Sequence, residues 1–299
     1  MVLSVEFIIG TIGNGFIALV NIMDWVKRRK ISSVSQILTP LAISRITVLV
    51  SVFITMLASI VHPSLLMAVN VIRVIKITFT VTNHFDTWLT TCLSIFYFLK
   101  IANFSNSIFL YLKWRVKKVV SVIMLVSLVL LLLYMVLTNV YIDDWDGELQ
   151  RNMCHSSSWN ISSRIVNNII FTNYMVICVP LALSLSAFLL LLFSLWKHLK
   201  KMKHNTRDAS TRAHIQALKT VFACLLLGIL FFISFFEYVA FIRYLNTQLI
   251  ISYGLGLLMT FSSSHSWVII FGDSRLRQAS ISLLSWLRCR FKVVVSMGP

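Results

Sequence analysis

Acidic residues are scarce in this chain: ten Asp and Glu stand against 27 Lys and Arg in 299 residues, and all charged types together make up only 12%. Prolines number four and cysteines five, while 58% of the residues are hydrophobic. A chain so short of charge cannot hide that much apolar surface in a soluble core of ordinary composition, which excludes a globular soluble domain. Residues 1–23 have no basic run ahead of their apolar stretch, and Glu6 interrupts its start, so a cleaved signal peptide is not expected. The first apolar segment is expected to stay as a signal anchor, with no extracellular domain ahead of it. No glycine-rich phosphate loop is present, no Gly-x-Ser-Gly serine with a paired histidine, and no metal-ligand spacing among the seven histidines. Asp273 closes the last apolar stretch and no second intramembrane aspartate is found, which argues against an aspartyl intramembrane protease. Without an internal repeat, an inverted-repeat transporter is weakened too.

What is there is a ladder of apolar segments, each long enough for a ~30 Å hydrocarbon core. Seven spans are expected, at about 2–23, 37–60, 71–100, 120–141, 169–196, 220–243 and 249–271. The fold class is therefore an all-α membrane protein, a seven-transmembrane helix bundle in one domain. The connections 1 to 2, 3 to 4 and 5 to 6, with the C-terminal tail, hold 21 of the Lys and Arg residues against Asp24, Asp208 and Asp273. The opposite side, counted with Glu6, Asp86, Asp143, Asp144, Asp146, Glu148 and Glu237, is slightly negative. The positive-inside rule places the N-terminus outside and a short amphipathic tail in the cytoplasm. That topology accounts for the net charge of +17, so the basic balance reads as loops against anionic lipid and not as a nucleic-acid surface.

Within this frame 101–118 is an inner loop, expected to hold a short interfacial helix through Ser107, Phe109 and Leu112. The stretch 142–168 is the longest polar segment outside the membrane, and its Asn160-Ile161-Ser162 is the one sequon on the outer side, making Asn160 the candidate glycosylation site. Only Cys154 of the five cysteines lies in an outer loop, so no disulfide framework is expected. Cys289 sits in the basic, amphipathic tail, where palmitoylation competes with an inert thiol.

Polar groups inside a membrane are functional-site candidates by default. Arg45, two turns into the second span, must find acceptors, and Asn14, Asn21, His265 and the serines from Ser262 to Ser266 are candidates. Such a network reads equally as a packing clamp or as a switch. The outer half of the bundle is aromatic with isolated polar points: Phe79, Asn83, Phe171, Tyr174, Phe231 and Phe235. Phe79 and Asn83 are one helical turn apart. Together these residues suit a cavity for small amphipathic molecules.

Several motifs run the length of the chain: Gly13-Asn14-Gly15-Phe16-Ile17, Leu41-Ala42-Ile43-Ser44-Arg45, Phe96-Tyr97-Phe98-Leu99-Lys100-Ile101-Ala102-Asn103-Phe104-Ser105-Asn106, Ser194-Leu195-Trp196-Lys197-His198-Leu199-Lys200-Lys201-Met202, Ala213-His214 and His265-Ser266. They resemble the bitter taste receptors, the type 2 taste receptor family of G-protein-coupled receptors. The resemblance implies a multi-pass receptor of the plasma membrane that takes small bitter compounds into an outer cavity and activates a heterotrimeric G protein of the gustducin class, with no cofactor. By position in the family's motifs, the pocket would include Met56, Phe79, Asn83, Phe231, Leu255 and Leu258. Asn14, Arg45 and Ser266, with His265, would form a central polar network, and Tyr97 and Lys100 the inner end of span 3. The inner loops, with Lys113, Arg115, Lys117, Lys197, His198, Lys200, Lys201 and His214, would meet the G protein. Met56 stands where many members carry tryptophan, Ala209 where proline is usual and Asp273 where asparagine is usual. A vomeronasal type 1-like receptor and, from another class, a small-solute transporter or channel remain as alternative readings of the same spans.

Overall fold

A computed structural model of the chain describes residues 2–28, 32–62, 69–102, 104–154, 163–202, 219–220, 222–234 and 247–296. Among the described residues every regular element is a helix. In chain order these are α1 (Val2–Arg28), α2 (Ser35–Val61), α3 (Val69–Ile101), α4 (Ser107–Trp114), α5 (Val116–Cys154), α6 (Ser163–Met202), α7 (Phe222–Ser234), α8 (Thr247–Gly272) and α9 (Ser274–Ser296). Six of the expected spans fall within α1, α2, α3, α5, α6 and α8. Of the sixth span α7 covers 222–234, and residues 235–243 lie outside the described residues. By length and composition, four stretches among the described residues can cross a membrane: Leu3–Lys27, Ser35–Ala58, Val116–Val140 and Ile177–Lys197. Leu125, Leu128, Val129, Leu132 and Leu133 of α5 stand exposed, a continuous apolar surface that water would not tolerate and lipid covers.

Helix continues into the polar segment 142–168 from both sides, since α5 runs on to Cys154 and α6 already begins at Ser163. At 1.5 Å per residue, the 39 residues of α5 reach about 58 Å, well past a hydrocarbon core. Polarity marks where a bilayer ends, whereas a helix ends only where something breaks it, and from Ile142 to Cys154 only Gly147 opposes helix. Arg73 of α3 ties this extension down, donating to Asp143 Oδ1 at 2.6 Å and to Asn139 Oδ1 at 3.5 Å.

The expected short helix in 101–118 is α4. Asn106, extended at φ −69° and ψ 133°, caps it by accepting from Ile108 N at 2.9 Å. Phe109 anchors it, its ring 5.5 Å from Phe98 and 5.2 Å from Phe104.

α3 is the central post, packed against α2, α5 and α6, while α1 lies between α2 and α8. Hydroxyls stitch the apolar seams, as interhelical contacts in a bilayer require. Thr91 Oγ1 donates to Pro180 O at 2.8 Å, and Ser94 and Ser184 share a hydrogen bond of 2.7 Å, both joining α3 to α6. α1 and α8 approach so closely that Ser263 Oγ occupies the place a Cβ on Gly10 would take, so only glycine fits there. Apolar contacts form three clusters. One, at the end carrying the N-terminus of α1, joins Val48, Leu49, Val52, Leu258 and Met259. The other two fill the half of the bundle toward α4 and α9. The cysteines with described side chains, Cys92, Cys178, Cys224 and Cys289, are all free thiols.

Candidate functional site

Between the apolar clusters lies a polar centre built around Arg45 of α2, which has no solvent exposure. Its Nε donates to Asp86 Oδ1 of α3 at 2.8 Å. One terminal nitrogen donates to Ser266 Oγ of α8 at 3.1 Å, and the other to Thr90 Oγ1 at 3.0 Å and His265 Nδ1 at 2.9 Å. A guanidinium has five N–H groups and accepts nothing, so four of its donors are matched and His265 Nδ1 must be an acceptor. Ser266 Oγ carries the network on to Asn14 Oδ1 of α1 at 2.7 Å, and Asn14 Nδ2 donates to Gly10 O at 2.9 Å. Arg45 thus ties α2 to α3 and α8 directly, and α1 joins through Ser266.

The spacing of the sequence explains why. Asp86 and Thr90 are one turn apart on α3, so both face Arg45. Adjacent residues on a helix diverge, and His265 and Ser266 accordingly approach the guanidinium at different nitrogens. Asp86 Oδ2 has a longer partner in Ser262 Oγ at 3.4 Å. Both members of the Arg45–Asp86 pair are buried, with side chains 1% and 2% exposed, so each charge depends on the other.

This corrects two expectations. Asp86 does not belong with the outer carboxylates but is the buried counter-charge of Arg45 inside the bundle, and the outer side loses one negative charge by that move. Its carboxylate is engaged by the guanidinium and so is not free to act as a protease acid. The signal was legible: Asp86 stands near the middle of its span, and an arginine and an aspartate in different membrane spans pair far more cheaply than either stays alone. Asn21, expected beside Arg45, instead accepts from Arg275 of α9 at 2.7 Å in a second cluster. There Arg275 also reaches Asp24 Oδ2 and Ser35 Oγ, each at 3.0 Å, while Asp273 Oδ1 caps α9 through Arg275 N at 2.9 Å. Sequence reasoning missed this cluster because Arg275 was counted only as a topological charge.

Asn14, Arg45, His265 and Ser266 are therefore brought together. Tyr97 and Lys100 are not in this centre. They stand about 16 and 21 Å further along α3 from Asp86. Tyr97 packs between the two apolar clusters of that half, and Lys100 is exposed in the last turn.

Of the expected pocket residues, Met56, Phe79 and Leu258 share the cluster at the other end, where Leu3 and Phe7 of α1 join them. Asn83, one turn below Phe79, is buried. Phe231 of α7 lies against Phe261 of α8 with ring centroids 4.5 Å apart and planes tilted by 35°. The side chains of Phe171, Tyr174 and Leu255, and all of Phe235, lie outside the described residues. So do Asn160, His214 and the side chains of His198 and Lys201. Arg115, Lys117, Lys197 and Lys200 are exposed. Lys113 is half-buried, donating to Ala102 O at 2.9 Å across the end of α3, with Nζ 5.8 Å from the Phe109 ring. No group of His, Cys, Asp and Glu among the described residues has metal-binding geometry.

The chain matches a family profile described as taste receptor protein (TAS2R) over residues 1–288. It is 46% identical to taste receptor type 2 member 125 of Rattus norvegicus, an alignment covering 100% of this chain and 96% of that protein. It is 51% identical to taste receptor type 2 member 14 of Macaca mulatta and 50% to that of Homo sapiens, each covering 97% of this chain and 92% of the relative.

Proposed function

Since the chain belongs to the TAS2R taste receptor family, multi-pass G-protein-coupled receptors and not enzymes, we propose that it detects small, mostly apolar bitter compounds at the plasma membrane and signals through a gustducin-class G protein. On this reading seven helices cross the bilayer, the N-terminus of α1 faces outward, and α4 and α9 lie on the cytoplasmic side with the basic loops. The ligand enters the outer cavity walled by Met56, Phe79, Asn83, Phe231 and Leu258, with Phe171, Tyr174, Phe235 and Leu255 completing it. Asn160 carries the outer glycan.

The observation that carries this reading is the position of the Arg45 centre directly beneath the Met56, Phe79 and Leu258 cluster, where it joins α1, α2, α3 and α8. A ligand shifts a receptor's equilibrium only by its differential affinity for two conformers. A polar network in which several helices share one guanidinium has discrete hydrogen-bonded arrangements, so small movements of the wall above it change which arrangement is favoured. Apolar walls predict modest affinity and broad tuning.

The test is intracellular calcium in cells expressing the chain with a promiscuous taste-type Gα chimera, challenged with a panel of bitter compounds. Responses that require both chain and Gα are expected, and Asn83→Ala and Phe231→Ala should each weaken at least one agonist at equal surface density. Silence of a surface-expressed chain across the panel, with solute flux in its place, overturns the reading.

A further inference from the structure

A contiguous run of rings connects the cavity wall to the buried charge centre. Phe231 lies 4.5 Å from Phe261. Phe261 stacks on His265, one turn later on the same helix, with centroids 5.7 Å apart and planes inclined by 24°. His265 Nδ1 accepts from Arg45 at 2.9 Å, and Arg45 holds Asp86. The two ends of this run differ in freedom. His265 and Arg45 are buried and held by hydrogen bonds, whereas Phe231 and Phe261 are only partly buried and lie ring against ring.

We propose that Phe261 is a positioning residue that couples Phe231 in the ligand cavity to the Arg45–Asp86 centre, transmitting displacement of α7 through the His265 ring. The inference deepens the receptor reading and rests on it for the identity of the cavity. The physical basis is shape. A ring wedged between two others cannot follow one without pressing on the other, because close-packed interiors transmit displacement where flexible aliphatic side chains absorb it. The only polar step is the His265–Arg45 hydrogen bond, and there the acceptor role of Nδ1 fixes the imidazole orientation, so rotation of the ring breaks that bond. The contacts given for Phe261 are both with rings, and nothing in its residue type marked it.

The experiment is a double-mutant cycle of Phe231→Leu and Phe261→Leu, read in two ways on the full chain. The first reading is agonist potency and maximal calcium response at matched surface density. The second is thermal unfolding of the purified protein in detergent. An aromatic pair contributes a coupling equivalent to about a 2- to 10-fold change, so Phe261→Leu should lower the maximal response by about that factor while shifting potency less. The double variant should be no worse than the more severe single one, because both cut the same path. Phe261→Tyr, which keeps the ring, should retain the response. Should Phe261→Leu not reach the surface, Phe261→Met, of similar bulk and without a ring, carries the same expectation. Multiplicative effects in the cycle, or an unchanged maximum in the Leu or Met variant, overturn the coupling. Failure of the unsubstituted chain to respond to any bitter compound is a failure of the receptor reading, and the unfolding cycle then still decides whether Phe231 and Phe261 act as one unit.

Discussion

Two arginines bind α1, α2 and the last helices of this bundle together, and they do so under opposite conditions. Arg45 is sealed from solvent with Asp86, its neighbours all hydroxyls, an imidazole and apolar side chains. Arg275 makes a similar set of bonds, to Asp24, Ser35 and Asn21, yet it and Asp24 are about a third exposed at 30% and 28%. The chemistry is alike and the environment is not. A charge in the interior has no alternative partner when one is removed, whereas a half-exposed charge turns to water. The first cluster is therefore suited to a switch with discrete states, and the second to a latch that seats α9 against α1 and α2.

Removing the counter-charge from the buried pair should have the largest effect. Asp86→Ala leaves Arg45 unpaired and should cost about 3–5 kcal/mol, seen as a collapse of surface expression or a large fall in melting temperature of the purified protein. An unchanged melting temperature would dissolve the contrast between the two arginines. Next comes Ser266→Ala, which removes one acceptor of the guanidinium and the link to Asn14. It should cost about 1–3 kcal/mol in the same unfolding assay.

At the exposed end of the comparison, Arg275→Gln should lower stability by only about 0–1 kcal/mol. Its signature is local, an increase in amide exchange at the start of α9 and at the α1–α2 turn, with the polar centre unaffected. Smallest of all, Asp143→Asn breaks the Arg73 pair, in which Asp143 is 63% exposed, and should change the unfolding free energy by less than about 0.5 kcal/mol.

The contrast also explains what was legible before the structure. Apolar length reveals helices long enough for a bilayer, which reads length and hydropathy directly, and α1, α2, α5 and α6 each hold such a stretch where a span was expected. Arg45 announces itself by being an arginine between Ser44 and Ile46 in an apolar stretch. Its true partner was overlooked because charge counting by side assigns each acid to a surface, and Asp86 has none. Asn14 and Ser266 were found because their polarity interrupts apolar helices, whereas Phe261 resembles any other lipid- or core-facing aromatic. The outward run of α5 beyond residue 141 escaped for a different reason. Hydropathy falls there while helix propensity does not, and the Arg73 contact with Asp143 ties the extension to α3. Arg275 was read as a topological charge, and Lys113 as a loop cation facing the G protein, because a basic residue in an inner loop looks the same whether it faces solvent or spans a helix junction.

The most direct test of the central claim, that the Arg45 centre serves as a switch and is more than a fastener, separates stability from signalling by removing both charges together. Arg45→Met with Asp86→Leu replaces the pair by apolar side chains, a change that is often neutral for folding when no lone charge is left behind. Ser266 retains Asn14 and Ser262 O as partners in that variant. Surface density and purified-protein melting should return close to the unsubstituted receptor while the Gα-dependent calcium response is lost. A full response from the doubly neutral receptor at equal surface density would contradict the account and leave Arg45 as packing alone.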